Sequence, residues 1–198
     1  MKGLVVIGHP ACPSYSHALG DQVAAAWRDL GIAVEVLDLA ALGFDPSLTQ
    51  AEASGAPRQD PAVLGHIAAL RAADYLAIIH PVMWGMPPAV LKGWVDRVFA
   101  PDVAYGFAPD APEADGGKAM GLLRLRHVLV LCTANGAPVV DDPLERIWRE
   151  TIFGFCGVEQ VSYRCFVPLV PNTDATRRAW LDEAGQIAQE IGAQGSGF

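Results

Sequence analysis

The run Gly3-Leu4-Val5-Val6-Ile7-Gly8 is apolar at every position, not at every second one. A strand with that pattern must be covered on both faces, and a parallel sheet flanked by helices is what covers it. The rest of the chain supplies those helices. From Ser14 onward, Ala18, Leu19, Val23, Ala26, Trp27 and Leu30 recur at helical spacing until Gly31 can end the helix. A β-branched second strand follows at 32–37. Residues 40–60, rich in Gly, Pro, Ser and Asp, read as an irregular excursion. A helix at 62–73 has Asp60 as cap and Pro61 at its first position. The third strand is 75–80, followed by a helix at 88–99 opened by Pro88. Residues 100–120 are again long, polar and rich in Pro and Gly. A fourth strand at 126–133, a helix at 143–155, a fifth strand at 158–167 and a closing helix at 173–191, capped by Asn172 or Thr173, complete the series. No internal repeat or linker interrupts it. The expectation is an α/β three-layer sandwich with a five-stranded parallel sheet, forming a single domain over residues 1–198.

Charge and cysteine usage narrow the function. Fourteen basic residues against twenty-two acidic ones give a net charge of −8, which argues against coating nucleic acid, where Lys and Arg displace counterions. No apolar run reaches the roughly 18 residues that span a bilayer, so no membrane insertion is expected. The opening residues read as a buried first strand, not as a signal peptide. Cys12, Cys132, Cys156 and Cys165 show no metal-finger spacing, and three of them lie in apolar segments. No metal is expected from that spacing, and a reduced, cytoplasmic setting fits best.

Parallel sheets of this kind bind ligands beyond the carboxyl ends of their strands, where strand order reverses. The loops after strands one, three and four are all unusual. The first, from Gly8 through His9, Ser14, Tyr15 and Ser16, is rich in hydroxyls and ends at a helix start, where backbone donors could cradle a phosphate. Ser14 or Ser16 could equally be a plain N-cap. The loop carries neither a Gly-x-Gly-x-x-Gly fingerprint nor a Gly-Lys-Ser/Thr P-loop. Cys12 lacks the arginine six residues later that a thiolate phosphatase needs; position 18 is alanine. The third loop offers Pro81, Val82, Met83, Trp84 and Gly85 between prolines, with an apolar face and backbone donors suited to a flat heteroaromatic ring. The alternative is that Trp84 and Met86 are core residues beneath a turn. The fourth loop places small residues, Thr133, Ala134, Asn135 and Gly136, where a ligand could approach closely.

Together these segments resemble the flavodoxin-like NAD(P)H:quinone oxidoreductase family, including its small bacterial members and the flavin subunits associated with potassium efflux. The resemblance spans nearly the whole chain. It is most specific in Gly8-His9-Pro10 with Ser14-Tyr15-Ser16, in residues 81–86, and in Ala89-Val90-Leu91-Lys92-Gly93-Trp94 followed by Asp96-Arg97-Val98-Phe99. It implies sheet order 2-1-3-4-5 and a flavin, FMN or FAD, with NAD(P)H as co-substrate. His9, Ser14, Tyr15 and Ser16 would hold the phosphate side of the flavin. Pro81, Val82, Met83, Trp84, Gly85, Thr133, Asn135 and Gly136 would line the isoalloxazine. Tyr105 and Phe107 would cover the substrate side, contributed by the neighbouring subunit of a homodimer.

The implied activity is ping-pong: hydride passes from NAD(P)H to the flavin, then two electrons pass to a quinone-like aromatic acceptor. Better-known members carry two glycines in the fourth loop and then a tyrosine and a histidine that assist hydride transfer. Here Asn135 replaces the first glycine, and Asp141 and Ile147 fall near the pair. No catalytic side chain is therefore assigned. Asp141 reads as a helix cap, and His17, His66 and His127 read as surface or helix-face residues. The missing pair also leaves open a regulatory flavin-binding subunit with little turnover of its own. A one-electron carrier fits less well, because the first loop lacks a Thr-Gly-rich phosphate pattern.

Overall fold

A computed structural model describes residues 1–107, 119–137 and 139–194. Residues 108–118 of the polar stretch and Pro138 of the fourth loop lie outside the described residues. The chain runs β1 (Lys2–Ile7), α1 (Tyr15–Asp29), β2 (Ala33–Asp38), α2 (Gln50–Ala53), α3 (Pro61–Ala72), β3 (Tyr75–Pro81), α4 (Ala89–Val98), β4 (Tyr105–Phe107), β5 (Ala119–Gly121), β6 (His127–Thr133), α5 (Pro143–Arg146), a π-helical segment (Ile147–Gly154), β7 (Val161–Phe166) and α6 (Asp174–Gln194).

Five strands form one parallel sheet in the order β2-β1-β3-β6-β7. Once the short β4–β5 pair is set aside, this is the expected 2-1-3-4-5. Alternation along each central strand divides the core. Leu4, Val6, Leu76, Ile78, Val128 and Val130 pack under α3, α4 and the π-helical segment. Val5, Ile7, Ala77, Ile79, Leu129 and Leu131 pack under α1 and α6. The unbroken apolar run of β1 is thus the signature of a middle layer. β2 lies at the edge and is largely exposed.

Some boundaries moved for identifiable reasons. The helix expected over 143–155 is α-helical only to Arg146 and continues as a π-helix. Trp148 and Phe153, five residues apart, would sit about 140° apart on an α-helix. The wider π turn lets both be buried, stacked at 5.8 Å. Asp142, not Asp141, caps this helix, accepting from the Leu144 N–H at 2.9 Å. Thr173 opens α6, its hydroxyl accepting from the Thr176 N–H at 3.1 Å. The excursion 40–60 contains α2, held by a reciprocal capping box between Thr49 and Glu52. The polar stretch 100–120 contains the antiparallel pair β4–β5.

A buried ion network anchors the excursion to the core. Arg97 of α4 donates through Nη2 to Glu52 at 3.1 Å and Asp60 at 3.0 Å, and through Nη1 to the Asp45 carbonyl at 2.8 Å. Its guanidinium lies 5.7 Å from the centre of the Phe44 ring. Gly93 permits the approach: a β-carbon there would lie 2.1 Å from the Pro46 carbonyl oxygen.

Candidate functional site

The three loops meet at one edge because their strands are neighbours. The Gly8 N–H donates to the Ile79 carbonyl at 2.8 Å, and the Val82 N–H to the Thr133 carbonyl at 2.7 Å. β2 and β3 flank β1 on opposite sides, so the chain reverses direction between β1 and β3. That is the switch point at which such sheets take ligands.

In the first loop Ser14 is the N-cap of α1, and the His17 and Ala18 N–H groups return to its carbonyl. The N–H groups of Tyr15 and Ser16 have no acceptor among the described residues. Ser16 is buried and its hydroxyl has no hydrogen-bond partner. A buried orphan hydroxyl costs about 1–3 kcal/mol. Set beside free N–H groups at the positive end of a helix, it completes a donor set suited to a phosphate.

His9 is tied back to its own loop, with Nδ1 3.0 Å from the Ala11 N–H nitrogen and 2.7 Å from the Ala11 carbonyl. Nδ1 donates to that carbonyl in one tautomer and accepts from that N–H in the other; in the second, Nε2 carries the ring proton and can donate to an anion. Tyr15 points elsewhere: its hydroxyl donates to the Arg177 carbonyl at 2.6 Å, and burial pushes its pKa up to about 12. The ring fastens the loop to α6, and what Tyr15 offers a ligand is its N–H.

The third loop is a two-residue hairpin. Met83 and Met86 exchange both backbone hydrogen bonds, at 2.8 and 3.0 Å, and the residues between them have φ of +53° at Trp84 and +75° at Gly85. Positive φ at both central positions is the type I′ arrangement, natural for Gly85 and strained for Trp84. The strain presents the indole wholly to solvent, so Trp84 is not a core residue, and neither is the exposed Met86. The N–H groups of Trp84 and Gly85 have no acceptor among the described residues. Pro81 and Val82 are half-buried beneath them.

Thr133 is buried at the end of β6, and Asn135 Oδ1 accepts from the Val170 N–H at 3.0 Å, fixing the fourth loop to the segment after β7. Gly136 is exposed, and a β-carbon there would meet nothing within 4 Å. Tyr105 and Phe107 lie on β4, with rings 5.8 Å apart and Tyr105 also 5.0 Å from Phe155. Among the described residues, no hydrogen bond or ring contact joins them to the three loops.

His17 and His66 lie on the helices α1 and α3, whereas His127 opens β6. His66 is buried, stacked on Phe44 at 5.2 Å and accepting from the Trp94 indole at 3.2 Å. His17 is half-buried between Ser14 and Asp38. His127 is half-buried, 2.9 Å from the Ser162 hydroxyl. His80, given no role by the sequence, is fully buried at the end of β3. Its Nδ1–H donates to the Pro81 carbonyl at 2.9 Å, and Nε2 accepts from the Trp148 indole at 3.3 Å. Burial pushes its pKa down to about 4.

His80 therefore stays neutral when folded while the unfolded chain takes up a proton near pH 6.5. Between those values the unfolded state binds more protons, so stability falls as pH drops from about 6.5 to 4, by about 3 kcal/mol. Urea midpoints across this range should fall more steeply in the wild type than in His80→Gln. Equal slopes would contradict the assignment.

Comparison with known proteins agrees with this architecture. A model of the family described as having a flavodoxin-like fold matches residues 1–189. An uncharacterized NAD(P)H oxidoreductase of Haemophilus influenzae is 26% identical over 200 residues, covering 96% of this chain and 95% of that protein. An FMN-dependent NADH:quinone oxidoreductase of Shewanella baltica is 28% identical over 160 residues, covering 75% of this chain and 77% of its own. A crystal structure of a Streptococcus mutans protein superposes with a TM-score of 0.80 at 25% identity, covering 96% of this chain and all (100%) of the other.

Proposed function

This chain belongs to the flavodoxin-like fold family, and on that premise we propose that it is an FMN-dependent NAD(P)H oxidoreductase. It acts as a single domain whose electron acceptor is a quinone-like aromatic. The observation that carries the reading is the buried, unpartnered Ser16 hydroxyl among free N–H groups at the start of α1. Ser14, Ser16 and the N–H groups of Tyr15 and Ser16 hold the flavin phosphate, with His9 Nε2 beside them. The likeness to an enzyme named as FMN-dependent supports FMN over FAD.

Bound there, FMN would supply the two-electron chemistry linking NAD(P)H to the acceptor, and the protein's task is to bind and orient it. The unpartnered N–H groups of Trp84 and Gly85, with the fourth loop around Thr133, Asn135 and Gly136, provide donors for negative charge on the ring's polar edge. Pro81, Val82 and Met83 would give the ring an apolar bed, with the exposed Trp84 indole beside it. Neutral His80 stays below the ring bed, bonded to Pro81 and Trp148, and supports it without supplying a proton.

Exposed Met83, Trp84 and Met86 in one loop, with Val139, Val140 and Val170 in neighbouring segments, form an apolar margin to the site. A second copy of the chain covers that margin and brings its Tyr105 and Phe107 over the acceptor. All four cysteines are free thiols, which supports a reducing, cytoplasmic setting. Among the described residues no helix is long and apolar enough to cross a membrane.

Initial rates measured against NADH or NADPH and a soluble quinone should give parallel double-reciprocal lines, and denaturation should release FMN. Intersecting lines would exclude a shared, alternately occupied space; release of FAD would overturn the cofactor.

A further inference from the structure

Cys12 of the first loop, His17 of the first turn of α1 and Asp38 at the end of β2 bring one sulfur, one imidazole nitrogen and one carboxylate oxygen within 4.8 Å of one another. None of the three holds the flavin in the reading above. We propose that they form a binding site for one thiophilic divalent cation, with Zn²⁺ the best fit. Thiolate, imidazole and carboxylate are the zinc donor types, and three protein ligands leave the fourth tetrahedral position to water.

The donors are oriented before any ion arrives. His17 Nε2 lies 3.0 Å from Asp38 Oδ2, and its other nitrogen, Nδ1, lies 2.6 Å from the Ser14 hydroxyl. That is the outer hydrogen bond that fixes the ring of a metal-bound histidine. Asp38 is held in the same way: Oδ1 accepts from the Ala40 and Ala41 N–H groups, each at 3.2 Å, leaving Oδ2 turned toward His17. Metal–ligand lengths of about 2.0–2.3 Å place tetrahedral donors roughly 3.3–3.8 Å apart. The widest separation, at most 4.8 Å, therefore closes by up to about 1.5 Å while the Nε2–Oδ2 pair opens by a few tenths, and exposed Cys12 is the member with room to move. Binding releases the thiol proton to solvent and leaves the imidazole in its Nδ1–H tautomer, with Nε2 free to coordinate and Nδ1–H donating to the Ser14 hydroxyl. Cys132 and Cys156 are buried, and Cys165 lies on β7 in register with Cys132, so none of the three competes as a ligand here. The separation of the three in sequence hides the site, because β2 contributes the carboxylate only after the sheet forms.

The test uses the full chain as purified, with Zn²⁺ alone as probe. Competition against a chromophoric chelator should show one equivalent bound. Cys12→Ser and His17→Gln should each weaken binding at least about tenfold, whereas Cys165→Ser leaves it unchanged. X-ray absorption on the wild-type zinc form should show a single sulfur at about 2.3 Å. Affinity unchanged in both Cys12→Ser and His17→Gln, or a shell of nitrogen and oxygen only, would overturn the proposal.

Discussion

Replacing Ser16 by alanine is expected to move stability and cofactor affinity in opposite directions. The hydroxyl is buried with no partner in the protein. Removing it should stabilise the flavin-free protein by about 1–3 kcal/mol, the usual desolvation cost of such a group. FMN binding should weaken by about 10- to 150-fold, because a hydrogen bond to a charged phosphate contributes roughly 1.5–3 kcal/mol. Riboflavin, which lacks the phosphate, should bind wild type and variant alike. Urea denaturation of the flavin-free forms and fluorescence titration with both flavins measure these quantities. A variant that binds FMN as well as wild type, or that loses riboflavin affinity equally, would remove Ser16 from the phosphate site.

The largest loss of stability is expected from Arg97→Ala. The Arg97 and Glu52 side chains are 4% and 6% exposed, so the change leaves a buried carboxylate without its cation. Breaking such a pair costs about 3–5 kcal/mol. The Asp45 carbonyl loses its donor as well, and Phe44 loses the cation over its ring.

The pH dependence follows from the same network. Burial works to raise the Glu52 carboxyl, but the Thr49 N–H, the Arg97 guanidinium and the Thr49 hydroxyl outweigh it and hold the carboxyl below its ordinary value. The Ala62 N–H lowers Asp60, burial opposes it, and Arg97 adds to the lowering. Depressed carboxylates add stability that is present above their unfolded pKa and lost as pH falls through the folded one. In Arg97→Ala, urea midpoints should therefore be low at neutral pH and fall less on acidification than in wild type. A variant within about 1 kcal/mol of wild type would mean that the network adds nothing to stability.

Much of this was legible from residue order, for a physical reason. A strand buried on both faces cannot hide its composition, so β1, β3 and β6 were readable as apolar runs, and their neighbours in the sheet followed from alternation with helices. Helix starts were equally readable where a single side chain does the capping, as at Ser14 and Asp60. What was not legible depends on contacts between distant segments. The π turn exists so that both Trp148 and Phe153 reach the core, and no local propensity announces it. Asp141 and Asp142 are indistinguishable as caps until the backbone puts Asp141 at φ +55° and leaves Asp142 facing the Leu144 N–H.

His66 looked like a helix-face residue because only the folded excursion brings Phe44 over it. In the site, residue types and loop positions were readable, whereas functional state was not. That Trp84 is exposed, that the Tyr15 hydroxyl is turned to α6, and that the Ser16 hydroxyl has no partner are facts of packing. The coupling of His17 to Asp38 likewise needed β2 laid beside β1. Its one advance sign was an aspartate at the carboxyl end of a strand next to the loop.

In the proposed function, this edge of the sheet binds a flavin and presents it to a nicotinamide donor and an aromatic acceptor in turn. Anaerobic mixing of the flavin-loaded protein with NADH or NADPH, followed by a quinone, tests it most directly. The visible flavin absorbance should bleach with one equivalent of donor and return when the quinone is added. Flavin that stays oxidised with both donors would contradict it.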